Sequence, residues 1–368
     1  MTETTTRVPD AVPRAQTVSY FLCFGLVGVL STLLGPSLIT FATSTGSSLS
    51  GLGVLFTVDA FGSVCGSLLA GHLLNRFAPH RQAALGLAGI TVITAVIPLL
   101  TQLPLLLPAW WFLGMSKTFL IVTVNTLLVW VRRGRVGPYM SAADFFLGLG
   151  SLLMPIVIAQ SIAWTGGLHW GYWAVTAGTV VLMIRLAALP SPRMAGAEEQ
   201  SHAGSIAYPV VISVAVLLFF YVGAEISFSG WIPSYTLTRG IADSAAAAAY
   251  YSSLFWIAVT AGRLLWLPFT RTVAPERLLA TGVTACVLAL GSIWLLPSSS
   301  GCVIAGTVAF GLAMSPIFPS AFTLLDRRGQ ITGKVSAVCL CTASVGAMFF
   351  PWWIGQFLMA TGESANGR

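Results

Sequence analysis

Eleven long apolar segments fill most of this 368-residue chain, and they constrain its fold more than any other feature. A helix needs about 20 mostly apolar residues to cross the hydrocarbon core of a bilayer, and each segment is long enough. Charged residues make up only 8% of the chain, too few to solvate a soluble domain of this size. The sequence therefore predicts an all-α integral membrane protein whose outer surface lies in lipid. The predicted spans are roughly 18–43, 50–74, 81–103, 107–131, 138–162, 168–189, 207–235, 245–268, 276–296, 301–325 and 333–358.

The basic residues indicate which ends of these spans face the cytoplasm. Lys and Arg accumulate in cytoplasmic loops, and a cytoplasmic N-terminus places 14 of the 18 basic residues on that side. Arg239 and Arg368 then lie outside, and Lys117 and Arg263 lie within spans. We expect a multi-pass protein of the cell membrane, a bacterial inner membrane, with a cytoplasmic N-terminus. The loops also account for the net charge of +7 without a nucleic-acid partner.

A polar break after the sixth span divides the chain into two sets of helices with shared motifs. Gly-x-Leu-Leu begins at Gly71 and at Gly262, and a Gly with Pro five residues later stands at Gly150 and at Gly346. Parallel six-helix repeats are known among membrane proteins. The expected divisions are a cytoplasmic tail (1–17), a six-helix bundle (18–189), a cytoplasmic linker (190–206) and a second bundle of five helices (207–368).

Eight stretches and one loop motif carry a resemblance to a known family. The loop after the second span reads Gly71-His72-Leu73-Leu74-Asn75-Arg76, and the stretches are GPSLITFATSTGSSLSGLGVLF (35–56), GSLLAGHLLNRF (66–77), NTLLVWVRRGRVGPYM (125–140), FFLGLGSLLMP (145–155), YVGAEISFSGWIPSY (221–235), FWIAVTAGRLL (255–265), MSPIFPS (314–320) and PWWIGQ (351–356). The chain resembles the major facilitator superfamily, in particular the branch that includes the fucose permease and sodium–glucose-type transporters. The family's loop signature is Gly-x-Leu-x-Asp-Arg, so Asn75 stands where Asp is usual.

The resemblance implies a secondary transporter that moves a small organic solute, a sugar, by alternating access between two helical bundles. The family usually has twelve spans, and this chain is predicted to have eleven, so the twelfth is missing. An acid often stands four residues before the fourth-helix Asn, here Asn125, but that position holds Ile121, and Lys117 replaces a nearby acid. The implied partners are the lipid bilayer, a small-molecule substrate and a coupling proton or sodium ion, and the implied state is a monomer.

Two other functions are weighed against solute uptake. A drug or metabolite exporter would use the same fold, and the sequence leaves that alternative open. A membrane-embedded enzyme would need a catalytic motif such as HExxH or GxSxG, and the sequence contains neither. It also contains no GxxxxGK[ST] nucleotide-binding loop. We therefore expect no enzyme activity, no cofactor and no metal site.

Three charged residues are expected at one depth in the membrane. Asp59, Lys117 and Glu225 each lie about nine or ten residues from the outer end of a span, which places them about 13–15 Å deep. An ionised group at this depth costs at least about 2.5–3.5 kcal/mol, and such groups usually mark a substrate or ion pathway. The sequence predicts a polar cluster in which Lys117 neutralises Asp59 or Glu225. The alternative is a cluster that only fixes helix packing.

Aromatic residues near Glu225 complete the predicted binding site. Tyr221 and Phe228 fall on the same helix face as Glu225, and Trp231 continues that face. A carboxylate accepts hydroxyl hydrogen bonds while a ring packs on the C–H face of a sugar or polyol. The alternative is that these rings pack or face lipid. The candidate substrate or ion-binding residues are Asp59, Lys117, Asn125, Tyr221, Glu225, Phe228, Trp231 and Trp256.

A second charged pair is expected nearer the cytoplasm. Asp144 and Arg263 each lie about five or six residues from the cytoplasmic end of a span, and the resemblance implies that these spans pack together across the two halves. The pair would hold the cytoplasmic side shut, unless Arg263 reaches the membrane interface and Asp144 bonds within its own bundle. The candidate gating and loop residues are Gly71, Asn75, Arg76, Asp144, Gly262 and Arg263.

Overall fold

The computed structural model describes residues 11–73, 78–132, 136–192, 208–330 and 333–366, and all regular structure in these ranges is helical. A short 3₁₀ turn, Ile97–Leu99, follows the fifth helix. The α-helices are α1 (Ala11–Ser31), α2 (Leu34–Thr45), α3 (Leu49–Leu52), α4 (Val54–Leu73), α5 (Pro79–Val96), α6 (Leu103–Val131), α7 (Val136–Thr165), α8 (His169–Ala187), α9 (Tyr208–Thr238), α10 (Ala245–Thr272), α11 (Pro275–Leu295), α12 (Ser300–Met314), α13 (Ile317–Arg327) and α14 (Gly333–Asn366).

These helices confirm the eleven predicted spans. Ten spans meet the length and composition needed to cross a bilayer, and the pair α1 and α2, bent by 42°, supplies an eleventh in the described part of the chain. α3 and α4 form the second span, and α12 and α13 form the tenth. The first helix begins at Ala11, inside the segment 1–17 that the sequence predicts as a cytoplasmic tail.

Glycines in the left-handed conformation stand at or just beyond the ends of four helices. Gly46, Gly166, Gly240 and Gly329 all have φ between 63° and 71°, a conformation that Gly adopts without the strain of a Cβ. Within each half, short connections join consecutive spans, which run in opposite directions, and the bundle has two distinct ends. We call one the arginine-rich end, where α1 begins and where Arg81, Arg132, Arg185, Arg277 and Arg327 lie, and the other the arginine-poor end.

The buried apolar residues form two main cores. One core is built from α1–α8 together with Trp231 of α9, and the other is built from α9–α14. The main helix contacts repeat between the halves: α1 packs on α7 as α9 packs on α14, and α4 packs on α6 as α10 packs on α12. Within the described residues the first half has six spans and the second has five.

One repeated motif marks the same helix contact in both halves. A Cβ on Gly150 of α7 would overlap the backbone carbonyl of Gly25 in α1, and a Cβ on Gly346 of α14 would overlap that of Phe219 in α9. Small residues let membrane helices approach this closely. The other motif does not repeat in this way, because Gly262 contacts Ser315 whereas Gly71 has no atom within 4 Å of its Cβ position.

Candidate functional site

A cavity of about 280 Å³ lies between the two halves. Helices α1, α2, α4 and α6 of the first half and α9, α13 and α14 of the second half form its wall. Much of this wall is aliphatic. Its polar or aromatic side chains are Ser31, Phe56, Asp59, Ser63, Trp110, Lys117, Phe318 and Ser344.

An ion pair between α4 and α6 forms part of this wall. The Nζ of Lys117 donates to both carboxylate oxygens of Asp59, at 2.8 Å to Oδ2 and 3.1 Å to Oδ1. The side chains are 10% and 21% exposed, so the pair is largely shielded but open to the cavity. This geometry confirms that Lys117 neutralises Asp59.

Three glycines bring the ion pair together. A Cβ on Gly62 or Gly66 of α4 would overlap the backbone carbonyl of Trp111 or Met115 in α6, and a Cβ on Gly114 of α6 would overlap that of Asp59. The two helix backbones can therefore touch along this face. Because Lys117 follows Gly114 by one turn of α6, its side chain starts close to the Asp59 carboxylate.

Glu225 does not join this ion pair, which corrects the predicted three-residue cluster. It lies on α9 in the other half, is 9% exposed, and accepts a hydrogen bond of 3.2 Å from the hydroxyl of Tyr221. Glu225 was predicted beside Lys117 because the two residues lie at equal depth in their spans. The Glu225 side chain, however, does not line the cavity.

Close contacts between the halves seal the cavity toward the arginine-poor end. The Trp231 ring of α9 lies over Gly53 and Gly355, and a Cβ on these residues would lie 3.2 Å and 2.9 Å from it. Its Nε1 donates to the Pro351 carbonyl at 2.8 Å, and its ring lies 5.8 Å from that of Phe56. Trp231 thus forms a roof above the cavity and also lines a second, apolar cavity of about 260 Å³ in the second half.

Helices α4 and α14 meet near the roof and separate toward the arginine-rich end. The Thr57 hydroxyl of α4 donates to the Met348 carbonyl of α14 at 3.1 Å. One to two turns further on, Ser63 of α4 and Leu340 and Ser344 of α14 line the cavity from opposite sides. These contacts close the cavity at the arginine-poor end.

Asp144 and Arg263 do lie together, but not as the predicted pair of charged side chains. Helices α7 and α10 pack across the two halves. The Arg263 Nη1 donates to the backbone carbonyl of Asp144 at 3.4 Å, and their side chains make no ion pair among those of the described residues. The Asp144 side chain is exposed rather than packed against Arg263.

The other predicted site residues lie away from the cavity wall. Phe228 packs on Phe255 and Phe310 in the second half, with ring centroids 5.2 Å and 4.6 Å apart. Trp256 is 4% exposed in the same core. Asn125 is half-buried on α6, two turns beyond Lys117. Asn75 and Arg76 of the loop motif lie outside the described residues.

Sequence reasoning missed several residues that line the cavity. Trp110, which is absent from the candidate site residues named from the sequence, is 1% exposed and lines the cavity. Trp110 lies one turn before Gly114, on the α6 face that meets α4. This position was the signal that could have placed it at the cavity. Phe56 and Phe318 carried no comparable signal, because an apolar ring at the cavity and one facing lipid look alike in sequence.

The described residues offer no metal site. No group of three or more His, Cys, Asp or Glu side chains lies close enough together to hold a metal ion in this part of the chain. The cysteines are free thiols distributed over α1, α4, α11, α12 and α14. The chemistry available at the cavity is therefore binding, through one ion pair, hydroxyl groups and aromatic rings.

A sequence profile of the Major Facilitator Superfamily matches residues 20–351, which is most of the chain. The protein belongs to this superfamily. Two similar relatives are sodium-dependent glucose transporter 1 of Xenopus laevis, 24% identical over 88% of this chain and 72% of that protein, and the Homo sapiens protein of the same name, 22% identical over 89% and 71%. A third is major facilitator superfamily domain-containing protein 4A of Xenopus tropicalis, 22% identical over 94% and 86%.

Solved structures of the superfamily share the fold. The partially occluded inward-open xylose transporter XylE from E. coli has a TM-score of 0.76 at 12% identity, over 95% of this chain and 92% of that one. The nucleoside transporter NupG has a TM-score of 0.71 at 14% identity, over 94% and 90%. At these identities the likeness concerns the fold alone. The protein is a membrane transporter for a small molecule and not an enzyme.

Proposed function

We propose that this transporter moves a polyhydroxyl solute of about monosaccharide size across the cell membrane by alternating access, between the two halves predicted at 18–189 and 207–368. The observation that carries the proposal is the cavity between the halves with the Asp59–Lys117 pair on its wall. Hydroxyls of a sugar can bond to the carboxylate and the ammonium, and the Phe56 and Phe318 rings can pack on its C–H face. The volume is near the lower end of small-molecule sites, about 300–1,000 Å³, which favours a compact cargo.

The names of the relatives support this class of solute. Two of the relatives are named as glucose transporters, and two of the structural neighbours are a xylose transporter and a nucleoside transporter. All three cargo classes named there contain a sugar ring. The candidate site residues outside the wall, namely Asn125, Tyr221, Glu225, Phe228, Trp231 and Trp256, then act by shaping or closing the cavity.

The proposed orientation places the arginine-rich end in the cytoplasm, with the N-terminus and the linker 190–206. The positive-inside rule supports it. The cavity, closed at the arginine-poor end, is then the inward-facing state. A cysteine placed at Ala197 in the linker should react with a membrane-impermeant maleimide only after the membrane has been breached. Reaction from the outer surface of intact cells would contradict the orientation.

Uptake of labelled solutes into proteoliposomes tests the function. The panel should include hexoses, pentoses, nucleosides and an amphipathic drug, each with and without sodium and proton gradients. We expect saturable uptake of a sugar-ring solute that falls sharply in Ser344→Phe, which fills the cavity. Uptake should persist in Thr342→Phe, two residues earlier on α14 and away from the cavity wall. Transport of the drug alone would favour the exporter alternative, which the largely aliphatic wall also fits.

A further inference from the structure

The Asp59–Lys117 pair carries the only charges on the wall of the cavity, among the residues that the structure describes. The other wall residues on α1, α2, α4, α6, α9, α13 and α14 are aliphatic, aromatic or hydroxyl-bearing. Glu225 and Arg263 lie in the second half and Asp144 lies on α7, and none of the three lines the cavity. A solute in the cavity therefore meets a single carboxylate, and that carboxylate already holds a cation.

The ammonium group of Lys117 lies where a cation would neutralise the Asp59 carboxylate. One ammonium group contacts both oxygens of the Asp59 carboxylate, at 2.8 Å and 3.1 Å. A lone carboxylate in a largely apolar site is costly, so it must take up a proton, a metal cation or a charged partner. Lys117 supplies that partner from within the chain.

The helix packing holds this partner in place. A Cβ at Gly114 would lie 3.0 Å from Oδ1 of Asp59, so the carboxylate rests on the α6 backbone one turn from Lys117. Ser63, the next polar residue along the wall, turns its hydroxyl to the Gly114 carbonyl at 3.4 Å. Ser31 and Ser344 likewise donate to carbonyls of their own helices. The three wall hydroxyls donate to backbone carbonyls and keep their oxygen lone pairs, so the case against an exchangeable cation rests on the ammonium that already holds Asp59.

We infer that Lys117 is a resident counter-ion, which takes the place of an exchangeable cation at Asp59. Solute movement through this cavity then requires neither a sodium ion nor a proton at this carboxylate. The inference rests on the proposed function, and it makes this chain differ in coupling from relatives and neighbours that are named as sodium-dependent or as a proton symporter. Its tests include one that needs no transported solute.

Ion binding to the purified protein is the first test. Thermal unfolding is followed in sodium chloride and in choline chloride at equal ionic strength, since a ligand that binds only the folded state raises the midpoint. The wild type and Lys117→Arg, which keeps the charge, should show equal midpoints in the two salts. In Lys117→Met the Asp59 carboxylate is left alone, and its midpoint should rise by at least about 2 °C with sodium or on lowering the pH.

A double variant assigns that response to Asp59. In Lys117→Met/Asp59→Asn both charges are gone, and sodium and pH should no longer move the midpoint beyond their effect on the wild type. A saturable, sodium-specific stabilisation of the wild type that Asp59→Asn abolishes would overturn the inference. So would a Lys117→Met protein that responds to neither ion. If Lys117→Met does not fold, the comparison of wild type with Asp59→Asn still decides.

Uptake is the second test, and it separates this inference from the proposed function. Exchange of labelled solute is compared with and without sodium and a proton gradient. Removing both should change the wild-type rate by less than about twofold and lower the Lys117→Met rate by about tenfold. Wild-type uptake that requires either ion, and loses that requirement in Asp59→Asn, would contradict the resident counter-ion. Failure to transport any solute would instead reject the proposed function, and the unfolding experiment would still test the counter-ion.

Discussion

Gly35 of α2 and Gly230 of α9 lie in direct backbone contact between the two halves: a Cβ on Gly35 would lie 2.7 Å from the Gly230 Cα. The same position would be 2.9 Å from the Gly230 carbonyl oxygen, so no side chain fits there. The Phe56 ring covers Gly230 on another side. Helix α9 continues through Gly230 and Pro233, and Gly230 lets the halves close because it has no side chain at this contact.

Gly35→Val is therefore expected to hold the arginine-poor end open. Spin labels at Thr43 and Thr238, both exposed on α2 and α9, should move apart in a protein whose native cysteines have been replaced. The matched control is Gly178→Val on α8, where nothing lies within 4 Å of the Cβ position. A distance distribution in Gly35→Val identical to that of the control would show that the glycine contact does not govern closure.

Gly114→Ala should separate α4 from α6 and weaken the Asp59–Lys117 pair. The added Cβ overlaps the Asp59 backbone carbonyl, and overpacking of this kind costs about 1–3 kcal/mol of unfolding free energy. Solute uptake should fall together with stability. Gly71→Ala on α4, where the Cβ position is empty, should not lower the unfolding free energy, since Ala favours a helix over Gly. Equal stabilities of the two variants would contradict the packing argument.

The sequence located the spans and one ion pair because both depend on position along a helix. Span length and composition identified all eleven spans, and residue counting placed Lys117 level with Asp59. Counting along a helix does not give the direction around its axis, which is why Glu225 was assigned to the wrong neighbours. The direction is set by contacts such as that between Gly114 and α4, which require the three-dimensional packing of two helices.

The hydrogen bond from Tyr221 to Glu225 should stabilise the second half without contributing to ion coupling. Tyr221→Phe removes the donor from a buried carboxylate, and we expect a loss of about 1 kcal/mol in unfolding free energy. Its uptake should respond to sodium and protons as the wild type does, since neither side chain lines the cavity. Tyr250→Phe, which removes an exposed hydroxyl bonded to Gln160, should cost less. A Tyr221→Phe protein as stable as the wild type would contradict this role.

The contact between Arg263 and Asp144 predicts different effects of substituting the two residues. The Arg263 guanidinium reaches the backbone carbonyl of Asp144, at 3.4 Å, and so ties α10 to α7. Asp144→Asn keeps that carbonyl, whereas Arg263→Met removes the donor. A single hydrogen bond of this kind contributes about 0.5–1 kcal/mol, which changes a two-state population by about two- to fivefold.

Labelling of a cavity cysteine measures this difference. With Ser344→Cys as the reporter, since Ser344 lines the cavity, Arg263→Met should react about two- to fivefold more slowly from the arginine-rich end, because the lost bond belongs to the inward-facing state. Asp144→Asn should match its parent, and the charge swap Asp144→Arg/Arg263→Asp should not restore the parent rate, because the acceptor is a carbonyl. Arg239→Met, at the other end of the bundle, controls for loss of a positive charge. Faster labelling in both single variants with recovery in the swap would instead establish the carboxylate pairing that the sequence suggested.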